Sequence, residues 1–446
     1  MMMFSVLLLS GACAAPVLKN AMPARVVAPW TIEVGPGTVA LRQGEVALPE
    51  TVTLQVRPPE TVRVTDERHD GLPMFNPKTG GWVRGAKLRG LVTEECTATG
   101  ELDPNSVRIK ASAGDAAPFA PGSDYRLDPF WATFGRLDGS AIAEGQVVFV
   151  DYEYTPWRLD SVLIDADGAV RLAVGEPDAA LALPPGPKPG ERAIANVWIS
   201  GGIEQLTDEN VFPIEFAPPP PPPQGQTQAE RRLPKTLAKL RAGKTVTIVA
   251  WGDSVTNGGG VNGHGEQWYQ TVFAERLRGR FPEAEVRMLT AAWPGGNSTG
   301  YMKAPSGGTY DFVRDVLEPK PDLVTIEFVN DAYLDQAATA AHYAEILEHL
   351  HGIGAEVVLI TPHLVRPDWL TTDTVKVDED PRPYVKALRQ FAMDNDLALA
   401  DASKEWCRLW RQGIPYVTLL ANSINHPDVR GHRIFAEVLM GLFPEN

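Results

Sequence analysis

Four short stretches hold residue types suited to acyl chemistry, and three of them follow segments that read as buried strands. Gly252-Asp253-Ser254-Val255-Thr256 comes directly after the apolar run Val246–Trp251. A serine there tops a sheet, where backbone N–H groups and a helix field favour developing negative charge. The stretch is not a G-x-S-x-G elbow, because Thr256 stands where the last glycine would be. Gly258-Gly259-Gly260 follows and lets the backbone bend beside a substrate. Pro294-Gly295-Gly296-Asn297-Ser298 lies a few residues after Val286–Leu289, and a glycine lets an N–H approach an oxyanion. Phe328-Val329-Asn330-Asp331 follows Leu323–Phe328, and Asn330 offers an amide donor. Asn425-His426-Pro427-Asp428 precedes the last predicted helix, so His426 sits on a loop from which a general base can reach a nucleophile.

Singly these signals are weak: an Asn-Asp pair is more often a turn, and a loop histidine is more often only solvated. The order Ser, Gly, Asn, His resembles the SGNH hydrolases, a branch of the GDSL esterases and lipases. The resemblance covers about residues 244–443. Its most specific parts are Ile248-Val249-Ala250-Trp251 before Ser254, and Asn425-His426-Pro427 with Gly431 after it. It implies that Ser254 attacks an ester carbonyl and that His426 takes the serine proton and passes it to the leaving alcohol. The N–H of Ser254, the N–H of Gly296 or Gly295, and the Asn330 amide would hold the oxyanion. That is two-step acyl transfer through an acyl-enzyme, without a metal.

The chain departs from the family pattern twice. The aspartate usual three residues before the histidine is Ser423 here. Ser423, a backbone carbonyl, Asp401 or Asp428 could orient His426, or the pair could act as a dyad. Phe328 stands where the family usually has glycine, which is expected to narrow the space near Asn330 and favour a small acyl group. His363, at another predicted strand end, is a candidate substrate contact, although a structural histidine is the commoner reading. Glu327 falls in a strand expected to be buried. His349 and His351, before Gly352, fit helix C-capping better than a metal pair. There is no Cys/His spacing for zinc and no phosphate-binding G-x-x-x-x-G-K-[ST] loop, so no cofactor is implied.

Positioning these loops requires a sheet with level strand ends. Val246–Trp251, Val286–Leu289, Leu323–Phe328, Val357–Thr361 and Leu397–Ala400 are short and apolar, as strands covered on both faces must be. Helical segments alternate with them at Trp268–Arg280, Asp335–His351, Arg382–Asp394 and Gly431–Leu442. The alternation predicts a three-layer α/β/α domain on a parallel sheet, over residues 229–446, with its site at the carboxyl ends of the strands. A helix over Gln228–Ala242, broken or restarted at Pro234, precedes it. Residues 25–216 read as one or two β-sandwich-like modules, with short strands at Thr38–Leu41, Val52–Val56, Val107–Ala111, Gln146–Tyr152, Val162–Ile164, Val170–Val174 and Ala195–Ile199. Asp165-Ala166-Asp167-Gly168 predicts a hairpin between the fifth and sixth of these. Pro218–Pro223 makes residues 217–228 a stiff spacer.

A chain of 446 residues is long enough for two or three domains. The net charge of −15 repels polyanions, so nucleic acid is not an expected partner. Phe4–Leu9 followed by Ala12-Cys13-Ala14 resembles a leader over residues 1–15, and Cys13 could carry a lipid anchor, so export is expected. No later segment has the ~20 apolar residues of a membrane span. Cys96 and Cys407 are expected to be buried thiols.

The expected export, an appended β module and the SGNH resemblance together suggest an esterase that deacetylates a carbohydrate. Trp82, Trp131 and Trp157 are candidate sugar platforms, though core packing is the plainer reading. The alternatives are a broad lipolytic esterase or thioesterase, and a surface-binding protein with an idle hydrolase domain.

Overall fold

The computed structural model describes residues 22–41, 44–115, 117–216 and 225–445. The expected leader with Cys13 and the run Pro218–Pro223 lie outside them. The chain forms two compact units. One is Ala217–Leu409 with Asn425–Asn446, and the other is Leu18–Phe216 with Trp410–Ile424.

The first unit is built on five parallel strands: β1 (Val246–Gly252), β2 (Val286–Ala292), β3 (Leu323–Glu327), β4 (Glu356–Ile360) and β5 (Ala398–Ala400). Their order is β2-β1-β3-β4-β5. Every residue of β3 and β4 is buried, which explains why they are mostly apolar, with Thr325, Glu327 and Glu356 as the buried exceptions. Helices α1 (Gln228–Arg232) and α2 (Pro234–Arg241) precede the sheet, with Pro234 restarting the helix at its first position. The remaining helices are α3 (Tyr269–Arg280), α4 (Ser298–Met302), α5 (Gln336–Gly352), α6 (Pro383–Asp394), α7 (Ala402–Trp406) and α8 (Val429–Met440). Val249, Trp251, Val324, Ile326 and Phe328 pack with Tyr343, Ile346 and Leu350 of α5 and with Tyr384 and Leu388 of α6. Helices α3 and α8 pack together, with Tyr269 5.4 Å from Phe435.

Register sets where the site must lie. Gly252 pairs with Ala292 on one side and with Glu327 on the other. The carboxyl ends of β1, β2 and β3 are therefore level, and the chains leaving them emerge side by side.

The second unit is strand-rich, as its alternating segments predict. Arg158–Ile164 pairs with Val170–Ala173 in the expected hairpin, Ile164 opposite Val170. Several strands escape the sequence reading, among them Ala24–Ala28, Thr31–Val34, Tyr125–Asp128, Thr133–Arg136 and the long Val62–Asp70. Val62–Asp70 pairs along Val147–Tyr154, yet of its nine residues only His69 is buried. In Val62–Asp70 the exposed charges of Arg63, Arg68 and Asp70 mask the period-2 pattern. Two cores form. One joins Ile32, Val34 and Val39 to Val162, Ile194 and Val197; the other gathers Leu88, Val107, Phe134 and Val150. Trp410–Ile424 belongs to this unit. Asn196 donates to the Gly413 carbonyl at 2.7 Å, and Arg411 pairs with Glu215 at 2.9 Å.

Cys96 and Cys407 are both buried. No helix among the described residues is long and apolar enough to cross a membrane.

Candidate active site

Ser254 stands one residue beyond Asp253 at the end of β1 and is 8% exposed. Asp253 is wholly buried; its carboxylate accepts from the N–H of Val255 at 3.1 Å and of Asn330 at 3.0 Å. One side chain thus shapes the turn under the serine and fastens it to the loop after β3. Burial pushes the Asp253 carboxyl up to about 7, against the pull of these two N–H donors. Thr256 is held in turn: its hydroxyl meets Tyr269 Oη at 2.9 Å, and its carbonyl accepts from Gln270 Nε2 at 2.7 Å.

The glycine run connects serine to histidine. Gly259 donates to the Ser254 carbonyl at 2.8 Å. A Cβ on Gly259 would lie 2.9 Å from each of Cγ, Cδ2 and Nδ1 of His426, so the imidazole lies on the glycine. Gly260 has φ +87°, and a Cβ there would fall 2.0 Å from the Pro427 carbonyl oxygen. Neither position tolerates a side chain, which gives the run Gly258–Gly260 its reason.

Asn330 and the loop after β2 also meet. Asn330 Nδ2 donates to the Gly296 carbonyl at 2.9 Å and retains a second hydrogen. The Gly296 N–H donates to the Trp293 carbonyl at 2.9 Å, closing a turn. This corrects the expectation that Gly296 offers its N–H to the oxyanion, since its single proton is engaged. Next to Asn330, buried Asp331 accepts from the N–H of Ser298 at 2.9 Å and from its hydroxyl at 2.5 Å. The same hydroxyl lies 2.7 Å from His342 Nε2, and Tyr343 donates to Asp331 at 2.9 Å. Burial raises the Asp331 carboxyl to about 6.

The remaining candidates are placed elsewhere. Asp401 is paired through both oxygens with Arg389 at 3.0 Å and caps α7. Asp428 caps α8 and binds Arg430 at 2.7 Å. Ser423 is buried at φ +59°, and its hydroxyl has no hydrogen-bond partner. None of the three side chains is set as an orienter of His426. Phe328 is fully buried, edge-on to Trp251 at 5.1 Å, because strand alternation turns it toward α5 and α6. It does not shape the substrate space. His363 is a core histidine between Trp406 at 5.0 Å and Phe435 at 5.8 Å, and burial holds it well below the ordinary imidazole range. Glu327 is wholly buried near Thr256, without a hydrogen bond of normal geometry, and burial lifts its carboxyl well above the usual range.

A cavity of about 250 Å³ opens beside Asn330, lined also by Val329, Ala332, Val365, Trp369, Arg382 and Asn425. Arg382 is neutralised by Asp380 at 2.6 Å. Trp369 is 46% exposed. The expected platforms differ: Trp131 and Trp157 are buried, and Trp82 packs on Trp131 at 5.1 Å. The sequence reading missed Asp253, Ser298, Asp331 and Trp369 as site-builders. Asp253 and Asp331 were visible as neighbours of Ser254 and Asn330, whereas Trp369 lies on a loop with no motif.

Solved structures that the chain matches include a two-domain esterase active on acetylated mannans, 20% identical with TM-score 0.38, matched over 47% of this chain and 51% of that one. An acetyl xylan esterase is 21% identical with TM-score 0.33, over 43% of this chain and 97% of that one. An acetylxylan esterase from Geobacillus stearothermophilus is 18% identical with TM-score 0.35, over 45% and 95%. The chain thus spans about half the length of the two-domain esterase. No curated protein matches the chain. The family model for the GDSL-like Lipase/Acylhydrolase family matches residues 250–434, from the strand under Ser254 to the helix after His426, and the C-terminal domain belongs to that family.

Proposed function

We propose that the protein hydrolyses an O-acyl ester through Ser254 and His426, and that the ester is an acetyl group on a carbohydrate. The observation that carries the first part is Gly259, whose N–H holds the Ser254 carbonyl while its bare Cα seats the His426 ring. Ser254 Oγ attacks the ester carbonyl as His426 takes its proton. The tetrahedral oxyanion is met by the Ser254 N–H and by the second hydrogen of Asn330 Nδ2. Collapse breaks the bond to the alcohol, which leaves with the proton from His426. Water, deprotonated by His426, then releases the acid and restores the serine.

Two features support a sugar alcohol. The cavity beside Asn330 is smaller than the roughly 300–1,000 Å³ of drug-sized sites, leaving little room for a long acyl chain. Its exposed Trp369 offers an apolar ring face suited to a pyranose. The leader-like run Phe4–Leu9 supports an exported enzyme, placed where polysaccharide is met.

Covalent labelling by a fluorophosphonate tests the nucleophile, and it is expected to disappear in Ser254→Ala. Acetate release from acetylated xylo- or manno-oligosaccharides tests the substrate. Activity that rises steadily with acyl length on nitrophenyl esters, with no acetate from the glycans, would replace the deacetylase by a lipolytic esterase. Absence of labelling in the wild type would leave a binding protein with an idle hydrolase domain.

A further inference from the structure

We infer that His432 is a positioning residue for the catalytic base: a neutral imidazole that holds the Gly259 seat on which His426 lies. The inference rests on the proposed roles of Ser254 and His426.

His432 is wholly buried on α8. Its Nδ1 accepts from the backbone N–H of Tyr269 at 3.2 Å, so that nitrogen carries no proton. Its Nε2 lies 2.9 Å from the Gly259 carbonyl oxygen, which can only accept, so that nitrogen carries the proton. The two contacts assign one tautomer and require the neutral ring. Tyr269 lies nearly parallel to it, 6.1 Å away with the rings 20° apart. Gly259 is therefore gripped at both ends of its peptide plane pair: its N–H by the Ser254 carbonyl, its carbonyl by His432.

The start of α8 completes the grip. Asp428 caps that helix, so Pro427 and His426 lead directly into it. The Pro427 carbonyl lies against Gly260, while His432, one turn into the helix, holds Gly259. The segment carrying the base and the seat under the base are thus fixed by the same helix. A displacement of the seat by about 1 Å moves the imidazole out of line with Ser254, and misplacement of that size can cost about 10²-fold in rate.

His432→Phe, His432→Gln and Gly259→Ala are compared for kcat and KM on an acetyl ester, for the rate of Ser254 labelling by a fluorophosphonate, and for Tm. His432→Phe fills the space but removes both hydrogen bonds. Its kcat and labelling rate are expected to fall about 10²-fold with KM nearly unchanged. His432→Gln can accept from Tyr269 and donate to Gly259, and is expected to recover at least about tenfold of that loss. Gly259→Ala puts a methyl group against the His426 ring and is expected to lower kcat whatever residue 432 is, so it sets the size of a displaced-base effect; His432→Leu, which also lacks both hydrogen bonds, replaces His432→Phe if that variant does not fold. A folded His432→Phe with wild-type kcat and labelling rate would overturn the inference, as would a folded His432→Gln as slow as His432→Phe. Either result, with Ser254→Ala and His426→Ala inactive, removes only this inference; activity surviving in those two variants removes the catalytic reading instead.

Discussion

The side-chain amide of Asn330 donates to the main-chain carbonyl of Gly296 at 2.9 Å, joining the loop after β3 to the loop after β2. The bond spends one amide hydrogen on structure and leaves the other for the oxyanion role proposed above. Asn330→Ala removes both. It is expected to lower kcat by about 10²–10³ with a small change in KM, measured on an acetyl ester. A KM effect alone would make Asn330 a substrate-binding residue.

Asp253 links the serine turn to the same loop through two backbone N–H groups. Asp253→Ala leaves both buried and unpaired, which costs about 2 kcal/mol or more. Tm and kcat are expected to fall together. Asp253→Asn, whose amide oxygen can still accept, should lie between it and the wild type. Unchanged Tm in the alanine variant would show that water replaces the carboxylate.

The carboxylate of Asp401 is occupied by Arg389 and by the start of α7. Asp401→Asn is therefore expected to lower thermal stability while kcat stays within about twofold of wild type, since the residue does not serve the histidine. A kcat loss of about 10³ or more at unchanged fold would make Asp401 an acid that serves the histidine.

Glu327 has its pKa raised by burial, so the folded state binds its proton more tightly than the unfolded state does. Between the unfolded value near 4.5 and the higher folded value, the native protein holds more protons. Its stability contribution is intact below 4.5 and declines as pH rises through that window. Glu327→Gln keeps the shape and cannot ionise. The unfolding free energy of the wild type, measured by denaturant titration, is expected to fall relative to the variant from acid to alkaline pH. A constant difference would contradict the neutral carboxyl.

Trp369 tests the sugar reading separately. Trp369→Ala is expected to raise KM about tenfold or more for an acetylated oligosaccharide while leaving kcat/KM for ethyl acetate nearly unchanged. Equal losses on both esters would place the indole in support of the loop and not under a sugar ring.

The parallel-sheet domain and the loops that carry its candidate site residues were legible because each signal is local. An apolar run covered on both faces, followed at once by Gly-Asp-Ser or by Asn-Asp, marks a strand and the loop at its carboxyl end. The strand Val62–Asp70 was not legible, because its partner Val147–Tyr154 supplies most of the buried face while Arg63, Arg68 and Asp70 point outward. Nor were the roles of Gly296 and Phe328. Which way a turn spends its one N–H, or a strand end turns its last side chain, depends on neighbours distant in sequence. Ser254, Asn330 and His426, in that order, were determined by the chain itself. What supports them was decided only by folding: Gly259 under His426, His432 under Gly259, and Asp253 between Val255 and Asn330. Those contacts join residues up to 173 positions apart, as His432 and Gly259 show, and no local pattern encodes a pairing that level strand ends and packed helices create.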